Sequence, residues 1–426
     1  MAVSNRPLNR QDFKTLALAA LGGALEFYDF IIFVFFTVVI GELFFPPDMP
    51  DWLKQVQTFG IFAAGYLARP LGGIIMAHFG DLLGRKRMFT LSIILMALPT
   101  LAMGLLPTYA TLGIAAPVAL LALRILQGAA IGGEVPGAWV FVSEHVPAQR
   151  TGFACGTLTS GLTAGILLGS LMATAINTSF SAEEIRAWAW RIPFITGGIF
   201  GFVAMYLRRW LHETPVFQEM QERKHLAAEL PLKKVLREHK SAVLMSMALT
   251  WLLSAAIVVV ILMTPAYLQK QLGLAAAVTL KANSIATIAL TIGCILAGRI
   301  IDSLGAGWTF IAGSSLLGGV VWHFYNGVLA DPSTLYLNYA LAGLAVGIVG
   351  AVPYVMVNAF PAVVRFTGLS FSYNVAYAIF GGLTPLMVSL WLKTERLAPA
   401  YYVCSLSILG VLIGFTLLWQ QRRQSR

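Results

Sequence analysis

Residues 15–40 read TLALAALGGALEFYDFIIFVFFTVVI, an apolar run interrupted by two acids, Glu26 and Asp29, three residues apart. A helix rises about 1.5 Å per residue and a bilayer's hydrocarbon core is about 30 Å thick, so roughly 20 mostly apolar residues make one crossing. Stretches such as Phe30 to Ile40 show no alternation of apolar and polar residues, which speaks against the strands of a membrane barrel. Closed helices are then the way to satisfy the backbone in lipid.

Eleven further runs of this kind follow, at 55–79, 88–107, 112–142, 152–177, 190–210, 241–268, 279–300, 306–328, 334–360, 366–392 and 398–419, so an all-α polytopic protein of twelve spans is expected. Composition agrees: 58% of residues are hydrophobic and 11% charged, with a mean hydropathy of +0.77. Globular chains carry about a quarter charged residues, so here lipid must be part of the solvent. The polar start carries Arg6, Arg10 and Lys14, but no small-residue cleavage site ends the run behind it. It is expected to remain as span 1 rather than leave as a signal peptide.

The net charge of +10 is explained by where the charges stand. With these spans, 20 of the 29 Lys and Arg fall on the side shared by both termini and 7 on the other. That asymmetry predicts cytoplasmic termini and an even number of crossings, in a bacterial inner membrane, without any nucleic-acid partner. Cys155, Cys294 and Cys404 lie in apolar runs without paired spacing, and the six histidines show no metal spacing. Trp188, Trp190, Trp391 and Trp419 stand near span ends and read as interface anchors. No Gly-Lys-Ser or Gly-Lys-Thr loop is present, so neither ATP nor another cofactor is expected. No nucleophile, base and orienting acid converge in one segment, which argues against an enzyme.

The one long polar segment, 211–240, carries Pro215 and Pro231 and divides the chain into bundles of six spans at 1–210 and 241–426. The halves echo each other. Gly80-Asp81-Leu82-Leu83-Gly84-Arg85-Lys86 follows span 2, and Gly298-Arg299-Ile300-Ile301-Asp302-Ser303-Leu304-Gly305 follows span 8. Pro147-Ala148-Gln149-Arg150-Thr151-Gly152 precedes span 5, and Pro361, Arg365, Thr367 and Gly368 precede or open span 11. Two landmarks at similar separation argue for an internal duplication.

Asp81 to Lys86 is similar to the loop signature of the major facilitator superfamily, with Ala77 where the family usually has Gly and Ala306-Gly307 where a second basic pair would stand. The resemblance narrows to the metabolite:proton symporter branch, which includes carriers of citrate, 2-oxoglutarate, shikimate and betaines. It rests on Leu25-Glu26-Phe27-Tyr28-Asp29-Phe30, Tyr66-Leu67-Ala68-Arg69-Pro70-Leu71-Gly72-Gly73, Arg124-Ile125-Leu126-Gln127-Gly128 and Gly132-Gly133-Glu134. Trp190 to Phe194, Glu213 to Phe217, Ser372-Tyr373-Asn374 and Gly381-Gly382 extend it over the chain. It implies two six-helix bundles around one cavity and inward proton symport of a small polar metabolite. A proton-coupled efflux antiporter of the same fold is the nearest rival. A non-transporting sensor is another, although only 211–240 offers it a partner surface. The expected partners are the substrate, protons and the bilayer, and no obligate protein partner is evident.

Charges inside apolar spans cost about 2.5 kcal/mol or more each at the centre, so each needs a partner or a wet cavity. Glu26 and Asp29 share one helical face, and two acids this close in low dielectric cannot both ionise cheaply, which suits proton coupling. Arg124, with Gln127 on its face, offers a planar fork for a carboxylate, of Asp29 in coupling or of a substrate. Arg69 is read as a cavity group or as a structural partner of the acids. Tyr354 and Asn358 in span 10, and Tyr373 and Asn374 in span 11, are further candidates for the substrate. Asp81, Arg85 and Lys86, with Glu134 and Arg150, are expected to form a cytoplasmic gate.

Overall fold

The computed structural model describes residues 6–83, 85–208, 210 and 231–424, and every regular element among them is helical. The spans are α1 (Arg10–Phe35), α2 (Asp51–Leu83), α3 (Arg85–Leu105), α4 (Ala115–His145), α5 (Thr151–Ser179) and α6 (Arg191–Arg208) in the first half. The second half holds α7 (Lys240–Leu272), α8 (Ala276–Leu304), α9 (Ala306–Ala330), α10 (Pro332–Asn358), α11 (Ala362–Trp391) and α12 (Ala398–Gln424). Eight are long and apolar enough to cross a membrane by composition alone. α6 does so jointly with Ala182–Ala189, α2 and α3 hold the shorter apolar cores Gly60–Met76 and Leu91–Leu105, and α9 is diluted by His323 and Asn326.

Local chemistry sets the ends. Asn9 caps α1, its side chain accepting from the Asp12 N–H at 2.8 Å while the Asp12 carboxylate accepts from the Asn9 N–H at 2.8 Å. The first span does not run unbroken to residue 40: the helix stops at Phe36 and resumes as Thr37–Phe44. β-branched residues at 37–40 fit a helix poorly, and Pro46-Pro47 then ends it. Trp190 is no interface anchor, since it is buried against Phe44 and Phe194. Residues 211–230 of the polar segment lie outside the described residues; its end forms the helix Pro231–Glu238, packed on α11 through buried Val235.

Within the first half α1 packs on α5, α2 on α4 and α3 on α6; within the second, α7 packs on α11, α8 on α10 and α9 on α12. The same pairing recurs six helices later, as a duplication requires. The halves meet along α5–α8 and α2–α11, which a twofold relation would exchange. Outward faces carry exposed apolar stripes, such as Leu67, Leu71 and Ile75 of α2 and Ile408, Leu412 and Phe415 of α12, suited to lipid.

Two helices of the second half widen in mid-span, α7 at Ile257–Met263 and α11 at Tyr377–Gly381. A wide turn leaves carbonyls without helical partners. In α7 these are taken up: Thr264 Oγ1 donates to the Val259 carbonyl at 3.0 Å, Tyr339 Oη to Val260 at 2.7 Å and Asn283 Nδ2 to Ile261 at 2.6 Å.

The contact that positions the central side chains is a glycine seam between α2 and α4. A Cβ on Gly128 would lie 1.9 Å from the Gly65 carbonyl oxygen, one on Gly72 1.9 Å from that of Ala129, and one on Gly132 2.2 Å from that of Arg69. Backbone thus lies on backbone, with no flexible side chain to move aside. Gly128→Ala is expected to destabilise the purified protein by about 1–3 kcal/mol or more, the usual cost of overpacking. Gly319→Ala, where a Cβ meets nothing within 4 Å, should leave the melting temperature unchanged. Equal melting of both variants would show that the seam is not tight.

Candidate functional site

The seam places two fully buried arginines, Arg69 of α2 and Arg124 of α4, at the centre of the molecule. The Arg124 guanidinium lies 4.1 Å from the Phe30 ring centroid, 4.7 Å from Phe33 and 5.1 Å from Phe62. Its Nη1 donates to the Phe30 carbonyl at 3.0 Å and to Gln127 Oε1, while Nε and Nη2 make no hydrogen bond with any described group. Gln127 Nε2 in turn donates to the Asp29 carbonyl at 2.9 Å and to Thr100 Oγ1 at 2.7 Å.

Arg69 lies over Tyr377 at 4.2 Å, Tyr373 at 5.3 Å and Tyr66 at 5.6 Å, and the Tyr66 and Tyr377 rings stack at 5.5 Å. Its Nε donates to Asn374 Oδ1 at 3.4 Å, and its two terminal nitrogens make no hydrogen bond with any described group. Neither arginine has a carboxylate within ion-pair distance among the described residues. Cation–π contacts reach about 2 kcal/mol when desolvated, which offsets part of the several kcal/mol that each buried ion costs. The unfilled N–H groups remain.

Asn374 and Ser370 hook α11 of the second half onto the seam of the first. Asn374 Nδ2 donates to the Gly132 carbonyl at 2.6 Å, and Ser370 Oγ to that of Gly73 at 3.0 Å. Tyr373 stands edge-on to Trp139 at 5.0 Å, and the Trp139 indole donates to Thr159 Oγ1 at 3.1 Å. The structure brings Arg69, Arg124, Gln127, Tyr373 and Asn374, all singled out in the sequence, together with Phe30, Phe33, Phe62, Tyr66 and Trp139, which in sequence are indistinguishable from ordinary apolar packing.

The acids of α1 stand elsewhere than expected. Asp29 is buried, its carboxylate oxygens make no hydrogen bond with any described group, and they face α6, so that a Cβ on Gly197 would come 2.5 Å from Oδ1. Arg124 reaches the α1 main chain beside it, not the carboxylate. One residue turns a helix by about 100°, and that step from Phe30 to Asp29 separates the cavity side from the bundle interior. Glu26 is buried on the same helical face. Tyr354 and Asn358 also lie apart from the arginines: Asn358 is the last residue of α10, exposed, and donates to its own helix at the Tyr354 carbonyl, 2.8 Å away.

Among the gate candidates, Asp81, Arg85 and Lys86 lie outside the residues whose side chains are described. Glu134 is buried and accepts from Ser92 of α3. Arg150 is exposed at the start of α5. Two other contacts join the halves on the inner face, the one on which α1 starts and α12 ends. Asp302 of α8 accepts from the Gly152 N–H at 2.7 Å and the Phe153 N–H at 2.8 Å, setting a carboxylate on the positive end of α5. Arg365 of α11 pairs with buried Glu144 of α4 at 3.0 Å. The repeated acid in the two loops pointed to Asp302; nothing local pointed to Glu144. No cluster of three or more metal-ligating side chains occurs among the described residues.

The Major Facilitator Superfamily profile matches residues 19–385, and the chain belongs to that family. It is 29% identical over 423 residues to the proline/betaine transporter of Salmonella typhimurium (strain LT2), covering 95% of this chain and 83% of the relative. To the glycine betaine/proline/ectoine/pipecolic acid transporter OusA of Dickeya dadantii (strain 3937) it is 30% identical over 427 residues, with 94% and 82% covered. The fold is that of the proton:xylose symporter XylE, solved with bound 6-bromo-6-deoxy-D-glucose: the TM-score is 0.78 at 17% identity, covering 96% of this chain and 95% of that one. The chain is a polytopic membrane transporter, not an enzyme.

The native cysteines report on the inner contacts, since Cys155 and Cys294 are buried beside the α5–α8 seam while Cys404 is partly open. In a Cys404→Ser background, Asp302→Asn should speed maleimide labelling of the other two by about tenfold, as expected if roughly 1.4 kcal/mol of helix-end stabilisation is lost. Labelling at the wild-type rate would mean that this carboxylate does not hold the seam closed.

Proposed function

We propose that this Major Facilitator Superfamily chain imports a small zwitterion bearing a carboxylate, in symport with protons and by alternating access. One observation carries the reading: two fully buried guanidiniums, with N–H groups unfilled and no carboxylate partner among the described residues, share an aromatic enclosure. A substrate carboxylate supplies the missing acceptor to Arg69 and Arg124, and the rings of Tyr66, Tyr377 and Phe62 receive a cationic end. Proline, glycine betaine, ectoine and pipecolic acid, named for similar relatives, all carry both ends.

Proton coupling falls to Asp29, with Glu26 on the same face. The buried Asp29 carboxyl, with no hydrogen-bond partner among the described residues, suits a proton carrier, and Gln127 joins the Asp29 main chain to Arg124. Substrate drawing on Arg124 therefore acts on α1 at the residue that holds the proton. Asn374 and Tyr373 close the enclosure from the second half, so that occupancy also bears on the α2–α11 contact. Asp81, Arg85, Lys86, Glu134 and Arg150 belong with Asp302 and the Glu144–Arg365 pair to the inner gate. The charge asymmetry favours cytoplasmic termini in a bacterial inner membrane, with bundles at 1–210 and 241–426 joined by 211–240.

The test is uptake of labelled glycine betaine, proline, ectoine, citrate and 2-oxoglutarate into proteoliposomes, with and without an alkaline interior. Zwitterions should accumulate only with the gradient. Arg69→Gln and Arg124→Gln should each reduce uptake about 30-fold or more, following the roughly 2–5 kcal/mol cost of truncating one side of a buried charged contact. Retention within about twofold of wild type in both variants, far below that cost, would remove the arginines from the site.

Asp29→Asn should abolish gradient-driven accumulation and leave substrate exchange intact, because exchange needs no net proton release. Counterflow assays separate the two. Loss of both activities in a stably folded variant would assign Asp29 to packing, and retention of both would exclude it from coupling.

A further inference from the structure

Away from the central enclosure, the inner face holds an open cavity of about 300 Å³ lined by Leu8, Phe13, Arg150, Phe153 and Arg299. Phe13 of α1 meets Phe153 of α5 edge-on at 6.4 Å. Arg150 opens α5 in the first half and Arg299 lies on α8 in the second, so the two cations stand on opposite sides of the junction between the halves. Both are exposed. The nearby acid Asp302 commits its oxygens to the Gly152 and Phe153 N–H groups.

Beyond the cavity, the two flanking helices carry exposed apolar side chains. On α8 the exposed side chains Ile288, Ile292 and Leu296 run at spacings of four and lead to Arg299 three residues on. On α1 exposed Phe13 and Leu21 stand eight apart on one face. α5 packs against both helices and forms the floor between them. The result is an apolar trough along the membrane, ended at its inner edge by two guanidiniums.

We infer that this trough binds an anionic phospholipid of the inner leaflet, its phosphate between Arg150 and Arg299 and an acyl chain along α1 and α8. A free anion has no use for the apolar banks, and a zwitterionic lipid brings no net negative charge to the two guanidiniums. The phosphate ties the first half to the second where Gly152 and Gly298 already lie backbone to backbone. The bound lipid therefore stabilises the arrangement in which the inner face is closed.

The full chain is reconstituted in nanodiscs of phosphatidylcholine doped with phosphatidylglycerol, and retained lipids are counted by native mass spectrometry. Wild type should enrich phosphatidylglycerol, with each arginine contributing about fivefold. Arg299→Gln should lose that factor, and Arg150→Gln/Arg299→Gln should lose the enrichment while keeping the wild-type melting temperature in phosphatidylcholine alone. Arg422→Gln/Arg423→Gln removes the same charge from the same face outside the trough and should retain it. Phosphatidylglycerol should also slow maleimide labelling of Cys155 in wild type but not in the trough variant. Enrichment persisting in the trough variant, equal loss in the Arg422/Arg423 variant, or equal slowing by inorganic phosphate in place of the lipid would each overturn the inference.

Discussion

The contact between α2 and α4 is the constraint on which the rest of the molecule depends. In lipid, helices gain nothing from hiding apolar surface from one another, so packing and hydrogen bonds must hold them. Glycines at 65, 72, 128 and 132 bring the two backbones together and fix Arg69 and Arg124 side by side. The same absence of side chains uncovers the Gly73 and Gly132 carbonyls, which Ser370 and Asn374 of the opposite half then use. One seam thus serves two purposes: rigid packing inside the first half, and a docking strip for the second made of a few hydrogen bonds.

The fold was legible in the sequence because hydropathy and charge asymmetry are summed over many residues. The buried charges were legible for the opposite reason, since a single Arg or Asp inside an apolar run is costly enough to need explanation. Rotation about the helix axis was not legible. Nothing in Phe27-Tyr28-Asp29-Phe30 says whether the acid or the ring faces Arg124, and the structure gives the ring and the main chain to the arginine and the acid to Gly197. Helix ends limited the reading likewise, since Asn358 is exposed where α10 stops. The aromatic walls were invisible because Phe and Tyr are ordinary residues in a membrane span.

The inner face shows what a degenerate repeat retains. The second loop lacks the basic pair of the first, having Ala306-Gly307 instead, yet Asp302 still sets its carboxylate on the α5 N-terminus. A helix end supplies its own positive partner through its free N–H groups, so the acid survives in function without the bases beside it. On the other junction between the halves, Glu144 and Arg365 make a contact of a different kind, an ion pair on one buried and one partly open side chain.

The wide turns in α7 and α11 divide two long helices into segments that need not move together. Each lies between a long inner segment held in its bundle and a short outer one, Thr264–Leu272 in α7 and Gly382–Trp391 in α11. Tyr377, whose ring covers Arg69, is itself the first residue of the α11 turn. A load on the Tyr377 ring therefore falls on a joint rather than on a strut. The wide turns give the outer segments a joint of their own, set apart from the contacts that Asp302 and Glu144 make at the inner face. Bending at the wide turns and parting of those contacts are then mechanically separate, rather than two views of a single seesaw.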